Sequence, residues 1–250
     1  MHLPTAPAPA PSLAGVGEIR SRREPPPFRP VEVVAVTTPN PHVIGITLAG
    51  ESLEGFDPGL PAASVRLLLP RAHGELEIPT WRGNEFLHAD DTRPLLRTLT
   101  PLRFDPSGPS LDVEVVLHGS APLSDWAAGA GVGDRVALSG PGRGYEIDDA
   151  GTRFLIAGDE SALPAVTTVI PALPAAARVD VLVEVRHDDA RRPLPDHPGL
   201  RARWLLLADG KEPGEALVAA VTSAEIDADT RVWAAGEAAA VQRIRRHLFG

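Results

Sequence analysis

The sequence predicts a chain that joins two fold classes, an antiparallel β-barrel and then an α/β domain with a parallel sheet. Three observations support this prediction. Short apolar runs separated by turn residues occupy the first half, from residue 28 to residue 148. From residue 149 onward, apolar runs alternate with segments of helical periodicity, which is typical of strand–helix–strand units. The length of 250 residues accommodates one large or two modest domains.

Composition limits the classes of function that the chain can serve. Apolar residues make up 43% of the sequence, which is enough for a sizeable core. The net charge of -9 argues against nucleic-acid or membrane partners, so we expect small molecules instead. There is no cysteine, which excludes thiolate metal sites and iron–sulfur clusters, so electron transfer would need a bound cofactor. Neither a spanning apolar run nor a signal-peptide pattern is present, and we expect a cytoplasmic protein.

The first half starts with a segment of biased composition and continues as short strands. Residues 1–27 are rich in proline and alanine and bury too little apolar surface to offset chain entropy, so we expect a flexible arm. Apolar runs between turn residues predict strands at Val31–Val36, Val43–Leu48 and Val65–Leu69, and their spacing favours an antiparallel barrel. The segment 71–94 carries turn residues and charges, and it fits either a hairpin or a loop at the rim of a ligand site.

The clearest strand pattern of the first half lies at Leu111–His118. Apolar residues alternate there with Asp112, Glu114 and His118, so we expect one buried face and a histidine at the strand end on the polar face. Residues 123–130 then form a candidate short helix. Because the first amides of a helix bind anions, this helix start, with Ser124 beside it, could hold a pyrophosphate. The glycine-rich stretch 140–144 closes the first half.

The second half alternates strands with helices. Strands are predicted at Arg153–Ala157, Val179–Val185, Arg201–Leu207 and Val232–Ala234. Three helices are also predicted: one that ends at Ile170, one at Glu215–Val221, and a last one after Glu237. The last helix repeats its apolar residues at three- and four-residue spacing, as an amphipathic helix requires. In parallel sheets, ligands bind at the carboxyl ends of strands, and Gly158 and Gly236 occupy such positions.

Two short motifs carry groups suited to an anionic ligand. Arg97, Thr98 and Thr100 place a cation and two hydroxyls in close succession. Gly158–Pro164 reads Gly-Asp-Glu-Ser-Ala-Leu-Pro, which combines a turn glycine with a helix start that could lie under phosphates. Taken singly, each motif also has a purely structural interpretation. An Arg-Thr-x-Thr segment is typical of a solvated strand edge, and a serine after a turn caps a helix.

Taken together, the motifs resemble those of siderophore-interacting proteins, which are NAD(P)H-dependent ferric-siderophore reductases similar to ferredoxin reductases. The matching stretches are Arg97–Thr100, His118–Gly119, Trp126–Ala127, Gly158–Pro164 and Ala234–Glu237. The resemblance covers roughly residues 28–248. It implies a Greek-key barrel that binds FAD at residues 28–148, and a parallel-sheet domain that binds NADPH or NADH at residues 149–250.

The resemblance also implies roles for single residues. Arg97 would contact a flavin phosphate, Leu99 would cover the flavin ring, and Thr100 would lie near flavin N5. Thr100 and Glu237 are the candidate catalytic residues, the latter because the family places Ala-Gly-Glu beside the reacting nicotinamide. The further candidate cofactor contacts are Thr98, Val116, His118, Gly119, Ser124, Trp126, Gly158, Asp159, Glu160, Ser161, Ala162 and Gly236. We expect no metal site.

Three departures from the family pattern keep a second function open. Leu99 replaces the tyrosine that stacks on the flavin, Ser120–Ser124 retains only Pro122 of Gly-Pro-Ala, and the aromatic C-terminal tail is absent. The first hypothesis is an oxidoreductase that passes electrons from NAD(P)H through FAD to a ferric siderophore or similar acceptor. The alternative is a repurposed member that binds a bulky small molecule at the flavin site and performs a non-redox step, such as a cyclisation, in secondary metabolism.

A third hypothesis, a structural or adaptor protein, has only the proline-rich arm in its favour. The sequence leaves three properties open: the identity of the substrate, the choice between NADH and NADPH, and the oligomeric state.

Overall fold

The computed structural model of the protein describes residues 25–71, 74–119 and 121–250. A seven-stranded sheet, a four-stranded sheet and a two-stranded hairpin form within these residues. The predicted arm at residues 1–27 lies outside them, apart from its last three residues. None of the described helices is long and apolar enough to cross a membrane.

The seven-stranded sheet belongs to the first half of the chain. The elements of this half are β1 (Arg29–Asn40), β2 (Val43–Ala49), β3 (Val65–Leu68), β4 (Thr80–Trp81), β5 (Phe86–Leu87), β6 (Leu96–Leu99), β7 (Arg103–Asp105), β8 (Ser110–Val116), α1 (Pro122–Gly129) and β9 (Arg135–Ser139). The strand order is β6-β3-β9-β1-β2-β8-β7, and all pairs are antiparallel. Because β6 also lies near β8, the sheet curls as a barrel, which confirms the predicted fold. The short strands β4 and β5 pair as a hairpin, which is one of the two structures predicted for segment 71–94.

The core of the barrel follows the alternation seen in the sequence. In β8, Leu111, Val113 and Val115 are buried, and the residues between them are half-buried. The strand ends at Val116, earlier than predicted, so His118 lies beyond it and is exposed. β7 was not predicted, because two of its three residues are charged and show no strand periodicity.

The second half forms the four-stranded parallel sheet. Its elements are β10 (Arg153–Asp159), α2 (Leu163–Val169), β11 (Arg178–Val185), β12 (Leu200–Leu206), α3 (Glu215–Thr222), β13 (Thr230–Ala235) and α4 (Ala238–Phe249). The order β12-β11-β10-β13 is parallel throughout, as predicted. One apolar cluster packs α2 on one face of this sheet, and a second cluster packs α3 and α4 on the other. Coverage of both faces explains why β10 and β11 are nearly continuous apolar runs.

Polar contacts join the two sheets. Glu114 of β8 pairs with Arg192 at 2.6 Å, and both side chains are mostly buried. His42 Nε2 lies 2.7 Å from the Asp189 carboxylate, and this hydrogen bond lowers the pKa of Asp189. The contacts fix the loop after β11 against the barrel, so the carboxyl end of the parallel sheet faces β8. The domain boundary at 148/149 stays a prediction.

Candidate functional site

A cleft lies where the carboxyl ends of β10, β11 and β13 face the end of β8, and we call it the junction cleft. Its volume is about 230 Å³. The predicted cofactor contacts that line it are Val116, His118, Asp159, Glu160, Ser161, Gly236 and Glu237. It is also lined by four residues that were not predicted to contact a cofactor, which are Glu184, Val185, Arg186 and Pro213. The structure thus brings together motifs from both halves of the chain.

Asp159 ties two strand ends of the junction cleft together. Its Oδ1 accepts hydrogen bonds from the Ser161 backbone N–H at 2.9 Å and the Ser161 hydroxyl at 2.6 Å. Its Oδ2 accepts a hydrogen bond from the Glu237 N–H at 2.6 Å. Gly236 has a φ of 132°, and a Cβ there would overlap the Asp159 carboxylate. The glycine therefore lets the end of β13 approach the loop after β10.

The other carboxylates of the junction cleft are also held by backbone amides. Glu184 is only 3% exposed, and its oxygens accept hydrogen bonds from the N–H groups of Gly214 at 2.6 Å and Leu217 at 2.9 Å, at the start of α3. Glu160 accepts from the N–H of Arg186. Glu237 caps α4 at its first turn. The fold therefore holds the carboxylates of this cleft in place through hydrogen bonds from backbone N–H groups.

Two motif residues contribute packing instead of lining the junction cleft. Gly158 is buried, and a Cβ there would lie 2.7 Å from the Cβ of Ala162 and 3.3 Å from the carbonyl oxygen of Ala235. Ala162 is itself 4% exposed. The pair lets the short 3-10 helix Glu160–Ala162 pack closely on β10, and this packing positions Asp159.

The Arg97–Thr100 motif lies outside the junction cleft. Thr98 pairs with Arg66 on the outer face of the barrel, whereas Leu99 pairs with Val65 and is buried in the barrel core. Arg97 is half-buried, and its guanidinium donates to the carbonyl oxygen of Leu96 at 2.8 Å. Thr100 follows the strand and is half-buried. The roles proposed for these four residues stay predictions.

The predicted helix start after β8 has its own contacts. The N–H of His118 donates to the Ser124 hydroxyl at 3.3 Å, and Ser124 is buried. Gly119 has a φ of 56°, which allows the turn between β8 and α1. Trp126 packs against the barrel core. These contacts fix α1, with Pro122 in its first turn and no side-chain cap at Ala121.

A second cleft, which we call the barrel cleft, lies on the outer face of β3, β6 and β9. Its volume is about 830 Å³, and it is lined by Pro25, Pro26, Ser64, Arg66, Thr98, Ser139 and residues 140–143. Arg66 and Arg143 are exposed, and neither has an ion pair or side-chain hydrogen bond within the part of the chain that the structure describes. Sequence reasoning missed both arginines. Only the outward position of Arg66 in the alternating β3 pattern signals it.

Three arginines of the first half have no carboxylate partner that the structure describes. These arginines, which are Arg66, Arg97 and Arg143, could face phosphates or another anion. In residues 25–71, 74–119 and 121–250, no group of three or more His, Asp or Glu side chains could hold a metal ion.

Comparison with known families agrees with this architecture. Residues 32–145 match the siderophore-interacting FAD-binding domain, and residues 151–250 match the siderophore-interacting protein family. The chain has the fold of a ferredoxin-reductase-like flavoprotein. It belongs to the siderophore-interacting protein family, and its first half is an FAD-binding domain.

Similar proteins extend over most of the chain. An uncharacterized protein of Mycobacterium tuberculosis is 30% identical over 232 residues, which are 86% of this chain and 81% of the relative. The NADPH-dependent ferric-chelate reductase of Escherichia coli is 26% identical over 225 residues, 88% of this chain and 86% of the relative. The crystal structure of a siderophore utilization protein from T. fusca has a TM-score of 0.79 and 31% identity, with 90% of this chain and 87% of that chain covered.

Proposed function

We propose that the protein is a flavin-dependent oxidoreductase that passes electrons from NAD(P)H through FAD to a ferric siderophore or a similar ferric chelate. The observation that carries this proposal is the barrel cleft, where Arg66 and Arg143 are unpaired cations beside the outward-facing Thr98. Ferric siderophores and related chelates are often anionic, and guanidinium groups bind carboxylate and catecholate oxygens through charge-assisted hydrogen bonds.

The proposal assigns one anionic compound to each part of the site. Arg97 and the start of α1 would hold the FAD phosphates, the barrel cleft would hold the ferric chelate, and the junction cleft would hold NAD(P)H. When bound, FAD would convert the two-electron hydride transfer from NAD(P)H into two one-electron reductions, so that one NAD(P)H would reduce two ferric ions and release one proton. The chain's own residues bind and orient the reactants, which shortens the distance between them and excludes water.

The similarity to a named reductase favours this proposal over the non-redox alternative. The Escherichia coli relative is an NADPH-dependent ferric-chelate reductase, and it resembles this chain in both halves. Because the barrel cleft keeps two unpaired arginines, an anionic acceptor fits it better than a neutral molecule would.

The test is anaerobic reduction of the FAD-loaded protein. NADPH or NADH should bleach the flavin absorbance, a ferric chelate should restore it, and a chromophoric Fe(II) chelator should record the product. Arg66→Ala and Arg143→Ala should each raise the KM for an anionic ferric chelate about fivefold, which corresponds to about 1 kcal/mol for an exposed charge.

Two controls make the result specific. Arg135→Ala removes an exposed arginine of β9 outside the barrel cleft and should leave that KM unchanged. The rate at which NAD(P)H bleaches the flavin should be the same in all variants. A flavin that neither dinucleotide bleaches would refute the proposal, and an unchanged KM in both cleft variants would move the acceptor site elsewhere.

A further inference from the structure

A third cleft, which we call the arginine cleft, lies at the opposite end of the parallel sheet from the junction cleft. Its volume is about 350 Å³. Four arginines line it near the amino ends of β10, β11 and β12, and they are Arg153, Arg178, Arg201 and Arg203. Because β10 has seven residues and a strand rises about 3.3 Å per residue, roughly 20 Å separate the two ends of the sheet. The three clefts share no described lining residue.

The pairing of the strands sets the arginines side by side. In the parallel register, Arg153 lies beside Arg178, and Arg201 lies beside Asp180. Side chains two residues apart on a strand point to the same face, so Arg203 extends the row that Arg201 begins. The fold therefore collects positive charge from three neighbouring strands on one face of the sheet.

Two of the four arginines are neutralised by carboxylates of the fold. Arg178 pairs with Asp180 at 2.8 Å, and Arg153 pairs with Asp227. These ion pairs offset the repulsion between like charges that lie side by side at the starts of β10 and β11. The carboxylates of Asp180 and Asp227 are thereby occupied.

The other two arginines have no partner. Arg201 and Arg203 are exposed, and neither guanidinium has a hydrogen bond or an ion pair with any residue that the structure describes. Glu225 also lines the arginine cleft, is exposed and has no ion pair with a described arginine. Two unpaired guanidinium groups thus face one unpaired carboxylate, which is a local excess of positive charge in a chain with a net charge of -9.

The floor of the arginine cleft is apolar. Leu155 and Leu182 line it, are 4% and 5% exposed, and belong to the cluster that packs α3 and α4 on this face of the sheet. An apolar floor lowers the local dielectric constant, so an anion held above it interacts more strongly with the arginines than it would on an open surface.

The spacing of the two unpaired arginines suits an anion with more than one charged group. Arg201 and Arg203 leave β12 about 7 Å apart on the same face. Each planar guanidinium can bind a carboxylate or a phosphate through two parallel hydrogen bonds. The volume of the arginine cleft lies within the range of small-molecule sites, about 300 to 1,000 Å³.

We infer that the arginine cleft binds a small polyvalent anion, either a phosphate compound or a di- or tricarboxylate, through the guanidinium groups of Arg201 and Arg203. The inference goes beyond the proposed function and does not depend on it, because the residues of the arginine cleft line neither the junction cleft nor the barrel cleft.

Calorimetric titration of the full chain with inorganic phosphate and with citrate, in a buffer without other polyvalent anions, tests the inference. At least one of the two should bind with a Kd below about 1 mM, and their order separates a phosphate ligand from a carboxylate ligand. Acetate, which carries a single charge, should bind at least about tenfold more weakly. Arg201→Ala and Arg203→Ala should each weaken the tighter anion about tenfold. Glu225→Gln, which removes the unpaired carboxylate, should tighten it about threefold.

Arg245→Ala is the matched control. It removes an exposed arginine of α4 that does not line the arginine cleft and changes the net charge by the same amount, so the affinity for the anion should stay within about twofold. Because Arg201 and Arg203 are exposed, their variants should fold normally, and circular dichroism checks this. The inference fails if neither anion binds, or if binding survives unchanged in both Arg201→Ala and Arg203→Ala. An equal loss in Arg245→Ala would also overturn it, because the charge of the whole chain would then govern binding.

Discussion

The junction cleft and the barrel cleft differ in how their charged side chains are partnered. In the junction cleft, Asp159, Glu160, Glu184 and Glu237 all accept hydrogen bonds from backbone N–H groups of neighbouring elements. In the barrel cleft, no described carboxylate faces Arg66 or Arg143. The first cleft therefore uses its charges mainly to hold its own walls in place, whereas the second keeps its charges for a ligand.

The contrast between the two clefts indicates which charged side chains are available to bind a ligand. A carboxylate whose oxygens are saturated by amides stabilises a helix start and gains little from a ligand. An unpaired, exposed guanidinium costs the fold little and can gain a charge-assisted bond when an anion arrives. By this criterion, Arg201 and Arg203 of the arginine cleft belong with the arginines of the barrel cleft.

The largest expected effect comes from removing the buried carboxylate of the junction cleft. Glu184→Ala leaves the N–H groups of Gly214 and Leu217 without their acceptor, which should lower the free energy of unfolding by about 3 kcal/mol. For a chain of this length that corresponds to a fall in Tm of roughly 9 °C. Denaturant unfolding measures it, with the exposed Glu225→Ala as the control that should change stability by less than about 0.5 kcal/mol. A loss below about 1 kcal/mol in Glu184→Ala would mean that this carboxylate is available to ligands.

The second prediction concerns the glycine that brings β13 close to Asp159. Gly236→Ala adds a Cβ at a φ of 132° where the Asp159 carboxylate lies, so it should destabilise the protein by about 2 kcal/mol. It should also weaken NADP⁺ binding, because displacement of Asp159 disturbs the loop Gly158–Ser161. Gly129→Ala at the end of α1 is the matched control, since no atom lies within 4 Å of its new Cβ. If both variants are equally stable, the approach of β13 to Asp159 is not restricted by the side chain at residue 236.

Much of the fold could be predicted because each half has a simple periodicity. Buried parallel strands are apolar runs, and the predicted strand Val179–Val185 differs from β11 by one residue. The alternation in β8 predicted which residues face the core. The short charged strand β7 escaped prediction because three residues are too few to show a period.

The candidate site was predicted only where its residues are close in sequence. Gly158–Ser161 and Gly236–Glu237 each lie at the end of a predicted parallel strand. Because ligands bind at the carboxyl ends of such strands, these residues could be predicted as part of the site. The same rule applied to β11 would have indicated Arg186. The sequence could not show that Arg66 and Arg143 line the same cleft, because only the pairing of β3 with β9 brings their segments together.

The last prediction concerns Leu99, which belongs to the barrel core in this structure and which we predicted from the sequence to cover the flavin ring. Leu99 is 9% exposed, so its side chain reaches the edge of the core instead of its centre. If the flavin lies against this edge of the barrel, a tyrosine ring at residue 99 would contact it. An aromatic pair contributes about 1 kcal/mol beyond area burial, so Leu99→Tyr should tighten FAD by up to about tenfold.

Fluorescence titration of FAD, run beside denaturant unfolding, separates binding from packing in the Leu99→Tyr variant. Leu99→Met keeps the volume of the side chain without adding a ring, so it should leave FAD affinity and stability almost unchanged. If tyrosine instead lowers stability by about 1 to 3 kcal/mol and leaves FAD affinity at the wild-type value, its ring overpacks the core, and residue 99 does not face the flavin. That outcome would leave Arg97 and Thr98 as the candidate ligand-facing residues of β6, with Arg66 of β3 beside Thr98. Ligand binding at the barrel would then use the outer face of β6 without Leu99, whereas the walls of the junction cleft come from several strand ends.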